Sequence, residues 1–190
     1  MARTINALTM GLAGNVRGLG LTFRRSRSGG IHVMTTPQAS TKPPTAAQQA
    51  TRDQFREAAA AGREAVKDPA TKAFYQQFVD DSTPSAYAAA MQDRLIAPTI
   101  KEVHFDEYLG KPGDQIRITA FDNFGVARVT VLIQNPDQSV VEEGDAVRSP
   151  GTLDWIYTAT ADNESLGGDV VTIHAFDHAG NNITYTQTLD

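Results

Sequence analysis

Gly113-Asp114-Gln115-Ile116-Arg117-Ile118-Thr119-Ala120-Phe121-Asp122-Asn123-Phe124-Gly125 recurs without a gap as Gly168-Asp169-Val170-Val171-Thr172-Ile173-His174-Ala175-Phe176-Asp177-His178-Ala179-Gly180. The shared pattern is G-D-x-[IV]-x-I-x-A-F-D-x-x-G. Successive side chains of an extended strand point to opposite faces. Ile116, Ile118 and Ala120 therefore share one face, as do Val171, Ile173 and Ala175. Two such strands predict the centre of a β-sandwich, one opposite the other across the core. Trp155 and Tyr157, separated by Ile156, supply the bulk that fills the volume beside them.

The period of two extends on both sides of this pair. It predicts seven strands, at 100–103, 115–121, 126–133, 139–142, 153–160, 170–176 and 182–189. Lys111-Pro112-Gly113, Asp122-Asn123, Asn135-Pro136-Asp137, Pro150-Gly151 and Gly167-Gly168 supply the turns between them. Seven short strands over residues 98–190 describe a β-sandwich.

Residues 45–97 follow a different rule. An Ala-rich stretch from the N-cap Thr45 to about Lys67 predicts one helix. Asp68-Pro69 starts a second, with Phe74, Tyr75 and Phe78 as its apolar face. Thr83-Pro84 gives the same start signal for a third, through Tyr87, Met91 and Leu95 to a stop at Pro98. Upstream, Leu21-Thr22-Phe23 and Ile31-His32-Val33-Met34 flank a polar turn ending in Ser28-Gly29-Gly30, which predicts a β-hairpin arm. A Pro-containing linker closes that arm at residue 44. The fold class is thus mainly β with a helical segment, divided as 1–44 arm and linker, 45–97 helices, and 98–190 sandwich.

The sandwich segment resembles the bacterial immunoglobulin-like domains of surface and assembly proteins, which often end in an A-x-D-x-x-G-N turn. Here that turn reads Ala175-Phe176-Asp177-His178-Ala179-Gly180-Asn181. The N-terminal segment is similar to an uncharacterised family common in Bacteroidetes, with a G-x-x-G-[KN]-x-x-G hairpin and a T-x-x-Q-x-x-x-R-x-x-F helix start. These are Gly11-Leu12-Ala13-Gly14-Asn15-Val16-Arg17-Gly18 and Thr45-Ala46-Ala47-Gln48-Gln49-Ala50-Thr51-Arg52-Asp53-Gln54-Phe55, with Asn15 in place of the more usual lysine. The resemblances imply architecture and bring no activity with them.

Charge is distributed unevenly along the 190 residues. Residues 1–52 hold seven basic and no acidic side chains, a net +7. Residues 53–97 hold five basic and seven acidic, a net −2, and residues 98–190 five basic and fifteen acidic, a net −10. Cysteine is absent, which removes disulfides, thiolate nucleophiles and Cys-based zinc sites together. No apolar run approaches the roughly 20 residues of a membrane helix. At the N-terminus a single Arg3 precedes the apolar stretch and the main basic cluster follows it, the reverse of a secretory signal. Synthesis in the cytoplasm, with release inside an extracellular or particle assembly left open, is the expectation.

No catalytic motif is readable. G-x-S-x-G, G-K-[ST] and H-E-x-x-H are all missing, and the glycines of residues 11–20 lack the strand–helix–strand context of a dinucleotide site. His32, His104, His174 and His178 show no metal-ligand spacing and are read as surface or hydrogen-bonded residues. Asp122 and Asp177 occupy equivalent places in the repeat and, with Asn123 and Asp106, are candidate oxygen ligands for Ca²⁺. The simpler reading is that each caps its own turn. No enzyme, cofactor, required metal or small-molecule substrate is expected.

The basic arm carries the functional expectation. Phe23, Ile31 and Val33 are its apolar anchors, and Arg24, Arg25 and Arg27 its charges. An acidic body and a basic arm in one chain can pair head to tail between copies, which builds rings or filaments. The chain is therefore read as a self-assembling structural subunit of a filament, tube, sheath or particle, with other copies of itself as partners. A binding or adhesin-like module on a larger particle is the alternative. Non-specific nucleic-acid packaging is a third reading, disfavoured by the acidic sandwich.

Overall fold

The computed structural model describes residues 14–16, 19–26, 30–37 and 42–190. Chain order is β1 (Gly14–Val16), β2 (Leu21–Arg25), β3 (Ile31–Thr35), α1 (Ala46–Ala65), α2 (Pro69–Gln76), α3 (Ala86–Leu95), β4 (Thr99–His104), β5 (Gln115–Phe121), β6 (Val126–Gln134), β7 (Val140–Asp145), β8 (Val147–Arg148), β9 (Asp154–Thr158), β10 (Val170–Asp177) and β11 (Asn182–Thr188). Met1–Thr45 and Ala46–Asp190 are separate units. Among the described residues, no helix is long and apolar enough to cross a membrane.

The first unit holds an antiparallel sheet in the order β1-β2-β3. The expected hairpin is the β2–β3 pair, and β1 is a third strand within the G-x-x-G-[KN]-x-x-G segment, of which residues 11–13, 17 and 18 lie outside the described residues. Residues 27–29 of the expected turn lie outside the described residues.

In the second unit two four-stranded antiparallel sheets, β4-β5-β9-β8 and β11-β10-β6-β7, form the sandwich. Numbered within the sandwich, the sheets take strands 1-2-6-5 and 8-7-3-4, the immunoglobulin-like order. The repeated segments are β5 and β10, interior strands of opposite sheets. Ile116, Ile118 and Ala120 share one buried cluster with Val171, Ile173 and Ala175. Trp155 and Tyr157 join it from β9, paired across the ladder with Ile118 and Ile116. Alternation explains the β10 burial, since every second residue from Val171 to Asp177 is inside. The eighth strand, β8, was not predicted. Its two residues are too few to carry a period.

Small side chains bring α1 and α3 close together. Ala58, Ala59 and Gly62 are the buried residues of α1, and Ala86, Ala89, Ala90 and Asp93 those of α3. A Cβ on Gly62 would stand 3.2 Å from the Tyr87 ring. Asp68 caps α2 as expected, its carboxylate accepting from the Thr71 amide at 2.7 Å, with Pro69 at the first helical position. The start of α3 differs from expectation. Ser85, not Thr83, is the N-cap, and its hydroxyl accepts from the Ala88 amide at 3.2 Å. Thr83 is instead engaged by a preceding turn, where Asp80 Oδ1 accepts its amide. Phe124 leaves the sandwich to enter a second apolar cluster with Tyr75, Ala86, Ala89 and Ala90. Phe78 meets it edge to face at 5.2 Å.

Candidate functional site

Two places collect the residues singled out above. In the N-terminal sheet the register pairs Phe23 with Val33, Arg25 with Ile31, and Leu21 with Thr35. On the other side of β2, Leu21 faces Val16. Directly opposed residues share a face, so Val16, Leu21, Phe23, Ile31 and Val33 form one apolar surface with Arg25 at its margin. Arg24 pairs with His32 and projects to the opposite face, which also holds Met34 and where the Thr22 hydroxyl donates to Asn15 Oδ1 at 2.7 Å. The expected anchors thus come together, whereas Arg24 stands behind them. Arg27 lies outside the described residues. None of the described residues of this sheet is buried.

The second place lies where the helices meet one end of the sandwich. Asp122 follows β5, Asp177 ends β10, and Asp93 faces them from α3. One carboxylate oxygen from each lies within 4.8 Å of the other two. All three residues are buried, Asp93 completely. Asp122 and Asp177 do cap their turns. Asp122 Oδ1 accepts from the Phe124 amide at 2.8 Å, and Asp177 accepts from the Asn181 amide and side chain at 2.7 and 2.6 Å. Asp93 Oδ2 accepts from the Tyr75 hydroxyl at 2.5 Å. Asp93 Oδ1 and Asp122 Oδ2 have no hydrogen-bond partner.

The electrostatics follow from burial among like charges. Desolvation pushes the Asp93 carboxyl up to about 7, helped by Asp177 and Asp122. The Tyr75 hydroxyl and the Ala179 amide pull it back only in part. Asp122 is raised by burial, with a further contribution from Asp177. The Tyr75 phenol is raised by its own burial and then by Asp93. No Lys or Arg among the described residues forms an ion pair with the trio. Arg94 turns its guanidinium to Asn181 Oδ1, at 3.0 Å. His178 packs against the Phe74 ring at a centroid distance of 4.1 Å, and burial pulls its imidazole below the ordinary value.

Asp106 is not a member of this group. Asp106 instead approaches His104 at 3.9 Å on an exposed edge. Asp93 was missed because it sits on a helix, remote in sequence from the repeat. The available signal was its phase. It continues the Ala86, Ala89, Ala90 stripe, and an acid on a stripe of buried alanines is a functional hint.

At its other end the sandwich holds a second buried polar network, in which Glu142 Oε1 and Asp169 Oδ1 also lack a hydrogen-bond partner. Asn163 Nδ2 donates to Asp169 Oδ2 at 2.6 Å and to the Tyr108 hydroxyl at 3.2 Å. Glu142 Oε2 accepts from the Thr160 amide at 2.8 Å and its hydroxyl at 2.9 Å. The Glu142 side chain is therefore a buried clamp on the loop that carries Thr160.

No family model matches the chain, and no curated protein matches it. Among solved structures, the N-terminal part of the bacterial S-layer protein SbsC is similar at a TM-score of 0.32 and 16% identity, over 75% of this chain and 40% of that one. The chain spans less than half of that structure, and a likeness this slight carries neither fold nor function. The family resemblances read from the sequence have no counterpart in these comparisons.

Proposed function

We propose that the chain is a non-catalytic structural subunit that associates with further copies of itself through its N-terminal sheet. The observation that carries this reading is the apolar face of Val16, Leu21, Phe23, Ile31 and Val33, on a sheet without a buried residue among those described. A three-stranded sheet gains stability by covering one face. The charge split along the chain supplies a second attraction. Residues 1–52 carry +7, and residues 98–190 carry −10. A basic patch meeting an acidic one on a neighbouring copy is a heterologous contact, and such contacts propagate into rings or filaments. The outer edge of β3 offers backbone groups to the same contact.

The test compares the full chain with residues 46–190 by sedimentation velocity and negative-stain imaging at low and high salt. The full chain should sediment as species larger than its 20.5 kDa monomer, and the shortened one as a monomer. Assembly that persists without the first 45 residues sinks the proposal. Phe23→Ser and Val33→Ser together should abolish assembly while leaving the thermal unfolding of the second unit unchanged.

A further inference from the structure

We propose that Asp93, Asp122 and Asp177 bind one calcium-class divalent cation, which ties α3 to the ends of β5 and β10. Acidic clusters on protein surfaces are common, and three features set this one apart. It is inside the molecule, with the three residues 0%, 8% and 4% exposed. Two of its oxygens, Asp93 Oδ1 and Asp122 Oδ2, are buried and unpartnered, so each forgoes hydration without a donor in exchange. Finally, no Lys or Arg among the described residues pairs with the three carboxylates, and the nearby Arg94 is committed to Asn181. Buried charges are ordinarily paired or coordinate a metal.

The donor set selects the ion. The three ligand atoms that lie within 4.8 Å of one another are carboxylate oxygens, which suit hard cations. Oxygens on opposite sides of a Ca²⁺, each about 2.3–2.6 Å from it, stand about 4.6–5.2 Å apart, so three atoms within 4.8 Å can share one ion. Mg²⁺ needs shorter bonds and keeps several waters, which suits a buried, protein-lined site less well. The repeat explains two of the ligands. Its F-D-x-x-G turn places one Asp at the same end of each sheet, and the third comes from the helix that covers that end.

The full-length chain, stripped with EDTA and dialysed, is titrated with CaCl₂ or MgCl₂ and followed by calorimetry and thermal unfolding, beside Asp122→Asn and Asp93→Asn. One Ca²⁺ per chain is expected. The melting temperature should rise by about 5–10 °C at free Ca²⁺ about a hundred times Kd, with a smaller rise for Mg²⁺. Asparagine keeps the volume and removes the charge. Without ions Asp122→Asn should therefore melt at or above the wild type, and in Ca²⁺ below it. The proposal is overturned if Ca²⁺ neither binds nor shifts the melt, if Mg²⁺ acts equally, or if both variants keep the full shift. Should the variants fail to fold, calorimetric stoichiometry on the wild type decides alone. The outcome is independent of whether the chain assembles.

Discussion

Gly110 does what no other residue can at its position. Its φ of +85° lies in the left-handed region, and a Cβ there would stand 2.4 Å from the Asn163 carbonyl oxygen. The Asn163 amide donates to the Gly110 carbonyl at 2.8 Å, which fixes the loop that carries Asn163 into the buried network with Asp169 and Tyr108. Gly110→Ala combines backbone strain with a clash against main chain, and a loss of about 3 kcal/mol or more in urea unfolding is expected. Gly125, which ends the first repeat, has a φ of +101° with nothing within 4 Å. Gly125→Ala therefore meets strain alone, and a smaller loss of about 1–2 kcal/mol is expected. The sequence marked Gly125 through the repeated pattern, whereas Gly110 stood in a polar loop with nothing to show that residue 163 crosses it. Long-range approach of two loops leaves no local trace. The same blindness hid Asp93, whose neighbours in space are 29 and 84 positions away.

Elements were legible where a single physical rule decides them. Asp68-Pro69 reads as a helix start because the carboxylate meets a free amide and the ring pre-sets φ. The Thr71 hydroxyl and amide hold the Asp68 carboxyl below the ordinary aspartate range. A group whose value is depressed on folding stabilises above its unfolded value, near 3.9, and loses that contribution as pH falls through the folded one. Asp68→Ala should therefore be less stable than wild type at neutral pH, and the gap should close below about pH 4. Two thermal-melt series over pH measure this. Thr83-Pro84 misled because two candidate caps stand within three residues, and the Asp80 turn decides between them. In the sheets, alternation at β5 and β10 placed every core residue correctly, so Ile173→Ala should cost about 2–5 kcal/mol by chemical denaturation. Strands as short as β1 and β8 fall beneath any periodic signal.

At the scale of the whole molecule, charge was the most readable property and its use the least. Counting Lys, Arg, Asp and Glu along the chain gives the basic arm and the acidic body directly. Which face of the arm is apolar needed the register, since only the pairing of Phe23 with Val33 and of Leu21 with Val16 gathers those side chains. Association driven by the charge split should weaken as salt rises, because the Debye length falls from about 30 Å at 0.01 M to about 8 Å at 0.15 M. Light scattering across that range should report a steadily smaller mean mass, and the apolar variants above should show no assembly at either end.

Phe124, set into the helices rather than into its own sheets, has a consequence for how this polypeptide can be dissected. A fragment beginning at residue 98 would present that ring to water and leave Asp122 and Asp177 facing solvent without their third carboxylate. It should express poorly and clump, however complete its eight strands look on paper. Cutting at 45/46 leaves both features covered. In gene shuffling, the helices and the sandwich would have to travel as a single inheritable cassette.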